Sequence, residues 1–599
     1  MDAIVARHGA DATRLLPMLH EVQDQLGWLP PPALQRLAAG IARPLAQVVA
    51  TATFYSLLHT RPAGAYRVRF SDNITDRMLG SGALLRALCR ALWVEPGHVS
   101  DDGLVSIDTT SCTGMGDQGP AALVNGRALT RLDAARIDQM AALIRRRVPL
   151  AEWPADWFAV SDNIRRRDVL LARRPAPGAV LRAALERGAH AVLDEIERAG
   201  LRGRGGAGYP TALKWRGCRD APGRTHYVVC NADEGEPGTF KDRVLLSAEF
   251  DRVVDGMAVA ALAIGAREGL LYLRAEYRHL LEPLRACLAQ RRTQGLLGAD
   301  ILGRGFDFDI EIRLGAGAYV CGEESALLES LEGRPGKPRI RPPFPVSHGY
   351  LGQPTVVDNV ETLALAAQIA LDGADAFRAR GTASSPGTKL LSISGDVAHP
   401  GVYEYPFGVS VRELLDDCGA REVQAVVAAG AAGRCLAPDE FERRIAFDDV
   451  ATGGSIMVFD RDRDLFELAR NVAHFFAHES CGLCTPCRVG TAVNARLLDK
   501  LARRRGSPYD LDEMQRMHGW MQGSCHCGLG NSATLLLDDL RRTFPHSFAR
   551  RLHSSAFEPA FDLDAALAPA RRMTGRDDPG AHLDDADAAP TPTGARDHE

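Results

Sequence analysis

The chain has 599 residues, 46% hydrophobic and 25% charged, the composition of ordinary globular protein with room for about three to five domains. A formal charge of −5 gives no reason to expect nucleic acid as a partner. The opening MDAIVARHGADATRLL lacks a signal-peptide h-region. The most apolar stretch, residues 253–273, is broken by Asp255, Arg267 and Glu268, so it reads as a buried helix running into a strand and no membrane span is expected. These features predict a cytoplasmic protein. Its thirteen cysteines are an odd number and too sparse for a secreted disulfide scaffold. Five of them fall between positions 481 and 527, which points to metal or redox chemistry, while the scattered remainder read as small core residues.

Residues 1 to about 60 read as helices, LLPMLHEVQDQLGWLP stopping at Gly27 and Pro30. From Tyr66 the pattern changes to strand (AYRVRF), helix (ALLRALCRALWV) and strand (GLVSIDTT). ALVNGRALTRL follows, with Asn125-Gly126 as a hairpin turn. This order predicts a thioredoxin-like unit. Residues 149–190, rich in Arg and Pro, read as a connector. From 191 strands and helices alternate, which implies a parallel sheet with helices on both faces. From Thr388 a small strand-rich domain carries one helix, VRELLDDC, as in β-grasp folds. Residues 461 to about 555 are helical again, with Leu465, Leu468, Ala469, Val472, Phe475 and Phe476 on one face. The acidic, Pro-containing end is expected to be disordered.

Four motifs carry chemistry. RGRGGAGYP (202–210) packs four glycines into six residues, and successive N–H groups in such a loop bind phosphate. It is not the dinucleotide fingerprint, and a tight interhelical turn is the plain alternative. Lys214 lies close enough in sequence to add a positive charge. NADEGEPGTFKDR (231–243) places Asp233, Glu234 and Glu236 after a presumed parallel strand, where open α/β sheets bind ligands. An acidic surface turn is the alternative there. In GAGAYVCGEESALLESLEGRPGKPRIRPPFP (315–345), Glu323 and Glu324 open a helix, where they also simply complement its dipole. Phe344 sits in a proline-fixed loop suited to stacking on a base. In ESCGLCTPCRVG (479–490), thiols three residues apart can reach three irons of one cubane, a distant cysteine completing it. GSCHCGLG offers Cys525 and Cys527, with His526 between. A zinc site or free thiols stay open on spacing alone.

In this order, GLRGRGGAGYPTALKW, NADEGEPGTFKDR, GAGAYVCGEESALLESLEG, PPFP, VDNVET, ESCGLCTPCR and CGLG resemble the NADH-oxidising flavoprotein subunit of respiratory complex I. The likeness covers about residues 190–555. Residues 1–148 resemble the thioredoxin-like small subunit of the same module, fused in front. The fusion is similar to the large diaphorase subunit of cytoplasmic NAD-reducing nickel–iron hydrogenases.

The resemblance implies a multidomain α/β and α fold. A helical plus thioredoxin-like domain (1–148) and the connector (149–190) lead to a Rossmann-like FMN- and NAD-binding α/β domain (191–385). A β-grasp-like domain (386–460), a helical 4Fe–4S domain (461–560) and an acidic, largely disordered tail (561–599) follow. It implies that Gly203, Arg204, Gly205, Gly206, Ala207, Gly208, Lys214, Asn231, Asp233, Tyr319, Gly322, Glu323 and Asn359 hold FMN. Tyr209 and Phe344 would sandwich the NADH adenine, Glu236 would stand near the nicotinamide as the catalytic residue, and Glu324 near the adenosine ribose, favouring NAD over NADP. Arg341 stands where relatives often have lysine and Asp358 where they have asparagine, both near the nucleotide. The implied cluster ligands are Cys481, Cys484, Cys487 and Cys527, leaving Cys525 spare. The small subunit's 2Fe–2S ligand positions align here with Ser71, Asp76, Cys112 and Gly116, so no 2Fe–2S cluster is expected in the N-terminal domain. The implied partners are a small iron–sulfur diaphorase subunit and the small and large nickel–iron hydrogenase subunits in a hetero-oligomer. The alternative is the flavin subunit of an NAD-dependent formate dehydrogenase, or of complex I itself. A different class, a zinc-stabilised nucleotide-binding scaffold without catalysis, would be colourless.

Overall fold

The computed structural model describes residues 1–553 and 563–577. Its N-terminal helices Leu15–Leu26, Pro31–Gly40 and Leu45–Phe54 are punctuated as the sequence requires. Gly27 turns left-handed (φ 80°) after the first, and Pro31 opens the second, where its missing N–H costs nothing. Their apolar faces (Leu19, Val22, Leu37, Val48) share one core with Val320, Leu327 and Leu331 much later in the chain. This segment is therefore packed into the body of the molecule.

Next come β1 (Tyr66–Ser71), β2 (Val105–Thr110), β3 (Ala122–Val124) and β4 (Arg127–Leu129), forming a sheet in the order β2-β1-β3-β4. β1 and β2 run parallel, while β3 and β4 form a hairpin through Asn125 (φ 49°) and Gly126 (φ 80°), the two positive φ angles that such a turn demands. Arg243 of the following domain holds this unit by an ion pair to Asp117, its Nη2 donating to both carboxylate oxygens at 2.9 Å, with both side chains buried.

Within residues 149–190 the chain forms β5 (Ile164–Arg166) and the helix Ala179–Arg187. The α/β body contains β6 (Tyr227–Ala232), β7 (Glu268–Leu273), β8 (Asp309–Leu314) and β9 (Thr355–Asn359), all parallel, in the order β8-β7-β6-β9. The apolar stretch 253–273 is the buried helix Phe250–Ile264 followed by β7. Helix Phe250–Ile264 lies against Val360–Asp372 so closely that a Cβ on Gly256 would stand 1.9 Å from the Leu363 carbonyl oxygen, so only glycine fits there.

The third sheet contains β10 (Thr388–Gly395), β11 (Gly401–Pro406), β12 (Val423–Ala428), β13 (Arg434–Leu436) and β14 (Ser455–Asp460), with β5 on its edge: β13-β12-β14-β10-β11-β5. One helix, Val411–Asp417, crosses it behind a capping box from Ser410 and Glu413. The fully buried Glu404 locks β5 in place. Its carboxylate accepts the N–H groups of Asp168 (2.9 Å), Leu170 (2.6 Å) and Leu171 (2.8 Å) and the hydroxyl of Thr388 (2.9 Å).

The helices Leu465–Glu479, Thr485–Ala502, Pro508–Met521 and Leu535–Thr543 close the described body, and the whole expected apolar face of the first is buried. In the region read as a disordered tail from 561, a helix spans Leu563–Thr574; the expectation for 578–599 lies outside the described residues. No helix among the described residues is long and apolar enough to cross a membrane.

Removing the Glu404 carboxylate strands the buried N–H groups of Leu170 and Leu171, each costing about 1–3 kcal/mol, and the half-buried one of Asp168. Glu404→Ala is therefore expected to lower unfolding free energy by on the order of 3 kcal/mol, read as a reduced urea midpoint at unchanged slope. A midpoint equal to that of the parent would remove the carboxylate's assigned role.

Candidate functional site

The sheet order β8-β7-β6-β9 reverses direction between β6 and β9, and an open α/β sheet has its crevice at that reversal, outside the strand C-termini. Asn231, Asp233 and Glu236 follow from the end of β6, Asn359 ends β9, and the loop 315–319 leaves β8. The glycine loop covers the break from above. It is closed at its base by Gly203 N–H to Tyr209 O (2.9 Å) and Thr211 N–H to Leu201 O (2.9 Å). Gly205, Gly206 and Ala207 are exposed at its tip. Among the described residues, the N–H groups of 205–208 make no hydrogen bond. A Cβ on Gly205 would lie 3.2 Å from Asn359 Cβ, so the loop rests directly on the end of β9. Free N–H groups over a strand edge form an anion cradle, which suits a phosphate.

Arg204 is not part of that cradle. Its side chain is buried, donates to Arg202 O (3.0 Å) and Pro386 O (3.0 Å), and lies over the Phe407 ring at 4.7 Å. With its own N–H on Thr362 Oγ1 (2.8 Å), it pins the loop from behind.

On the β6 side, Asn231 Nδ2 donates to Gly322 O at 2.8 Å, joining two of the motifs. Asp233 Oδ2 is buried without a hydrogen-bond partner, and burial holds its carboxyl well above the usual range although Arg274 opposes this. An orphan buried acceptor of this kind calls for a donor that the described protein atoms do not supply. Glu236 accepts from Tyr319 Oη (2.5 Å) and from Ala432 N–H (3.1 Å). Burial pushes its carboxyl up to about 7 against the pull of those bonds.

A second polar group lies at the β9 end. Lys214 Nζ donates to Val357 O (2.8 Å) and stands 3.4 Å from both Glu324 and Asp358. Burial opposes its charge, but the two carboxylates outweigh burial and raise the ammonium above its ordinary value. Asp358 also accepts from Trp215 Nε1 at 2.6 Å. Glu323 caps helix Glu324–Leu331 by accepting the N–H groups of Ser325 (3.0 Å) and Ala326 (2.9 Å), and Arg341 stands 3.2 Å from its other oxygen. Asn359 caps the next helix and donates to Asp242 at 2.7 Å. Tyr209 and Phe344 are 55% and 52% exposed, so both rings are free to stack; they precede helices Thr211–Arg219 and Pro345–His348, which pack together.

The cysteines meet at the C-terminal end of helix Leu465–Glu479. Ser480 Oγ lies 3.3 Å from Cys487 Sγ, and His526 N–H donates to Cys484 Sγ at 3.3 Å. A Cβ on Gly530 would strike both Cys525 Sγ (2.7 Å) and Cys487 Cβ (3.1 Å), so GLG leaves room beside the thiols. Cys527 heads the short helix Gly528–Ser532, whose N–H groups at Leu529 and Gly530 point to its sulfur. Burial pushes the Cys527 thiol up to about 11 and Cys525 up to about 12; iron held at a thiol would take it as the thiolate. Among the described residues no three Cys, His, Asp or Glu converge on one ion position. A cubane asks for something else, one thiolate per iron.

Several residues that matter, Lys241, Lys389, Glu361 and Glu479, carried no sequence-based role, and Glu234, read as a candidate at the ligand edge, has another one. Lys241 and Lys389 both reach Glu361, at 2.9 and 2.5 Å, beneath the glycine loop. Burial drives the Lys389 ammonium down to about 7, with Glu361 opposing and Lys241 assisting. Glu234 turns inward and accepts the N–H groups of Asp242 (2.8 Å) and Arg243 (3.0 Å). Glu479 accepts from Ser111 and Tyr319. Lys241, Glu361 and Glu479 lie inside the quoted motifs, so the motif boundaries were the available signal.

Comparison with known proteins places the chain in a family. Residues 196–368 match the Nuo51 FMN-binding domain, 1–145 the thioredoxin-like [2Fe-2S] ferredoxin, and 467–551 the NADH-ubiquinone oxidoreductase-F iron-sulfur binding region. The second match overturns the expectation that the N-terminal domain has no 2Fe–2S cluster. That expectation weighed only four ligand positions, whereas the match is carried by the whole domain. Ser71, Asp76 and Cys112 lie in its interior, Asp76 accepting from Ser71 Oγ (2.6 Å) and Ala121 N–H (2.9 Å). An NADH-quinone oxidoreductase chain of Rhizobium meliloti is 40% identical over 60% of this chain and 88% of its own length. A solved NAD+-reducing [NiFe]-hydrogenase in the H2-reduced state includes a chain 44% identical, with a TM-score of 0.88 over 96% of this chain and 98% of that one. The NAD-reducing hydrogenase HoxS subunit alpha of Cupriavidus necator is 41% identical over 94% of this chain and 96% of its own, so this chain belongs to the family of that subunit.

Proposed function

We propose that this chain is the diaphorase subunit of a cytoplasmic NAD-reducing hydrogenase. It transfers hydride between NAD(H) and FMN and single electrons between FMN and a 4Fe–4S cluster, reversibly coupling H2 oxidation on partner subunits to NAD+ reduction. The partners are a small iron–sulfur diaphorase subunit and the nickel–iron hydrogenase subunits. The finer architecture is read as a Rossmann-like nucleotide domain, a β-grasp-like domain and a helical cluster domain, with boundaries near 148, 190, 385, 460 and 560. One observation supports this reading most: Tyr319 touches Glu236 in the crevice and also packs on the helix that ends at the cysteine run. Two sites so joined suit electron transfer from one to the other.

When bound, FMN supplies the exchange between hydride and single-electron chemistry, and the cluster carries the single electrons onward. The protein residues bind and orient. The free N–H groups of 205–208 take the FMN phosphate, and Asn231, Asp233, Gly322 and Asn359 line its ring, with Lys214 adding positive charge at the β9 end. Tyr209 and Phe344 flank the adenine of NADH, and Glu324, with Lys214 and Arg341 beside it, faces the ribose. Glu236, half neutral near pH 7, stands by the nicotinamide, its Oε2 fixed by the Tyr319 hydroxyl. Cys481, Cys484, Cys487 and Cys527 hold the cluster, and the N–H groups on Cys527 favour its thiolate.

Anaerobically purified protein should contain flavin and iron, and NADH should bleach both absorbances; colourless protein would overturn the reading. Ionised Glu236 favours the cationic ring of NAD+ over neutral NADH. As pH falls from 8 to 6 through a carboxyl pKa of about 7, NAD+ affinity should weaken by about tenfold, ~1.4 kcal/mol, with NADH affinity flat. Glu236→Gln should remove that pH dependence, and a parent with pH-independent NAD+ binding would contradict the assignment. Iron and sulfide analysis should show loss of the cluster in Cys527→Ser and retention in Cys525→Ser; the reverse result would exchange the two ligands.

A further inference from the structure

Glu479 is the last residue of helix Leu465–Glu479, where a carboxylate opposes the helix dipole and needs compensating donors. It has two, from two other parts of the chain. Oε1 accepts the Ser111 hydroxyl at 2.5 Å, from the loop that contains Cys112. Oε2 accepts the Tyr319 N–H at 2.9 Å. One turn earlier in the same helix, the rings of Phe475 and Phe476 pack edge-on against Tyr319, with centroids at 5.0 and 6.3 Å. The Tyr319 hydroxyl then reaches Glu236 at 2.5 Å. On the other side, Ser480 touches Cys487 Sγ at 3.3 Å. Direct contacts thus run from Ser111 through Glu479 and Tyr319 to Glu236, and Glu479 adjoins the cysteine run.

We infer that Glu479 is a positioning residue: it sets Tyr319, and through it Glu236, against the cysteine run, and Ser111 makes that setting depend on the seated N-terminal domain. The inference rests on Glu236 facing the nicotinamide. The helix end alone would seat the cysteines without Glu479, so the residue's contribution lies in aligning the two sites.

The test uses the full-length holoprotein and the variants Glu479→Ala, Ser111→Ala, Tyr319→Phe and the double Glu479→Ala/Tyr319→Phe. Amide hydrogen exchange of the peptide carrying Tyr319 should quicken in Glu479→Ala while iron and flavin contents hold. The NADH KM should rise several-fold in Glu479→Ala and less in Ser111→Ala, with kcat changing less than KM. The double variant should lose no more than the worse single one, because both cut the same chain of contacts. Losses that multiply, unchanged exchange at Tyr319, or loss of iron in Glu479→Ala would each overturn the inference. An unchanged KM in Ser111→Ala would overturn the N-terminal dependence. Failure of the Glu236 assignment would show instead as Glu236→Gln leaving nucleotide binding unaltered while exchange at Tyr319 still responds to Glu479→Ala.

Discussion

The reversal of direction between β6 and β9 is the constraint around which the molecule is built. Parallel strands end on the same edge, and where neighbouring connections leave in opposite directions a crevice opens that no side chain fills. Asn231, Asp233 and Asn359 stand there because they end those strands. The rest of the chain encloses this edge: the glycine loop above it, residues 315–319 beside it, and the helix leading to the cysteines behind Tyr319. Just after β6, Asp233 Oδ2 is buried with no hydrogen-bond partner in the protein, a demand the fold leaves open beside that edge.

Holding an exposed glycine loop steady needs a firm base, and that base is made of buried charge. Glu361 serves Lys241 and Lys389 and also accepts the Leu390 N–H at 2.8 Å, tying the sheet's last helix to β10. The next residue, Thr362, accepts the Arg204 N–H of the loop. Buried ion pairs contribute little net stability, but breaking one is costly, so such a joint favours one arrangement over neighbouring ones. Here it fixes the loop, the α/β sheet and the third sheet relative to one another.

Local chemistry was readable from the sequence, and long-range chemistry was not. The Asn125–Gly126 hairpin follows from two residues that accept positive φ, and the apolar face from Leu465 to Phe476 follows from helical spacing. Arg204 sits within the most conspicuous loop yet points inward, because its partners, Pro386 and Phe407, are about two hundred positions away in sequence. Glu323 could be read as a ligand or as a dipole partner, and its carboxylate oxygen is occupied in capping. The three residues of β5 lie within an Arg- and Pro-rich stretch and become a strand only because β11 and Glu404 receive them. Tertiary partners decide such elements, and no local periodicity announces them.

The same reasoning explains why the N-terminal segment is continuous with the rest. Ser56 and Leu57 donate their N–H groups to Gly317 O (3.1 Å) and Ala316 O (3.0 Å), in the loop that leads to Tyr319. Arg14 pairs with Glu311 at 2.9 Å, and His20 bonds Gly315 O at 2.8 Å. This brace adds to the anchors the loop has elsewhere, the Gly315 N–H on Leu273 O and the Tyr319 N–H on Glu479. A separate brace would be subject to dilution, whereas a fused one acts at a fixed effective concentration. Fusion therefore makes this share of the support for residues 315–319, and so for Tyr319 between crevice and cysteines, a property of the fold.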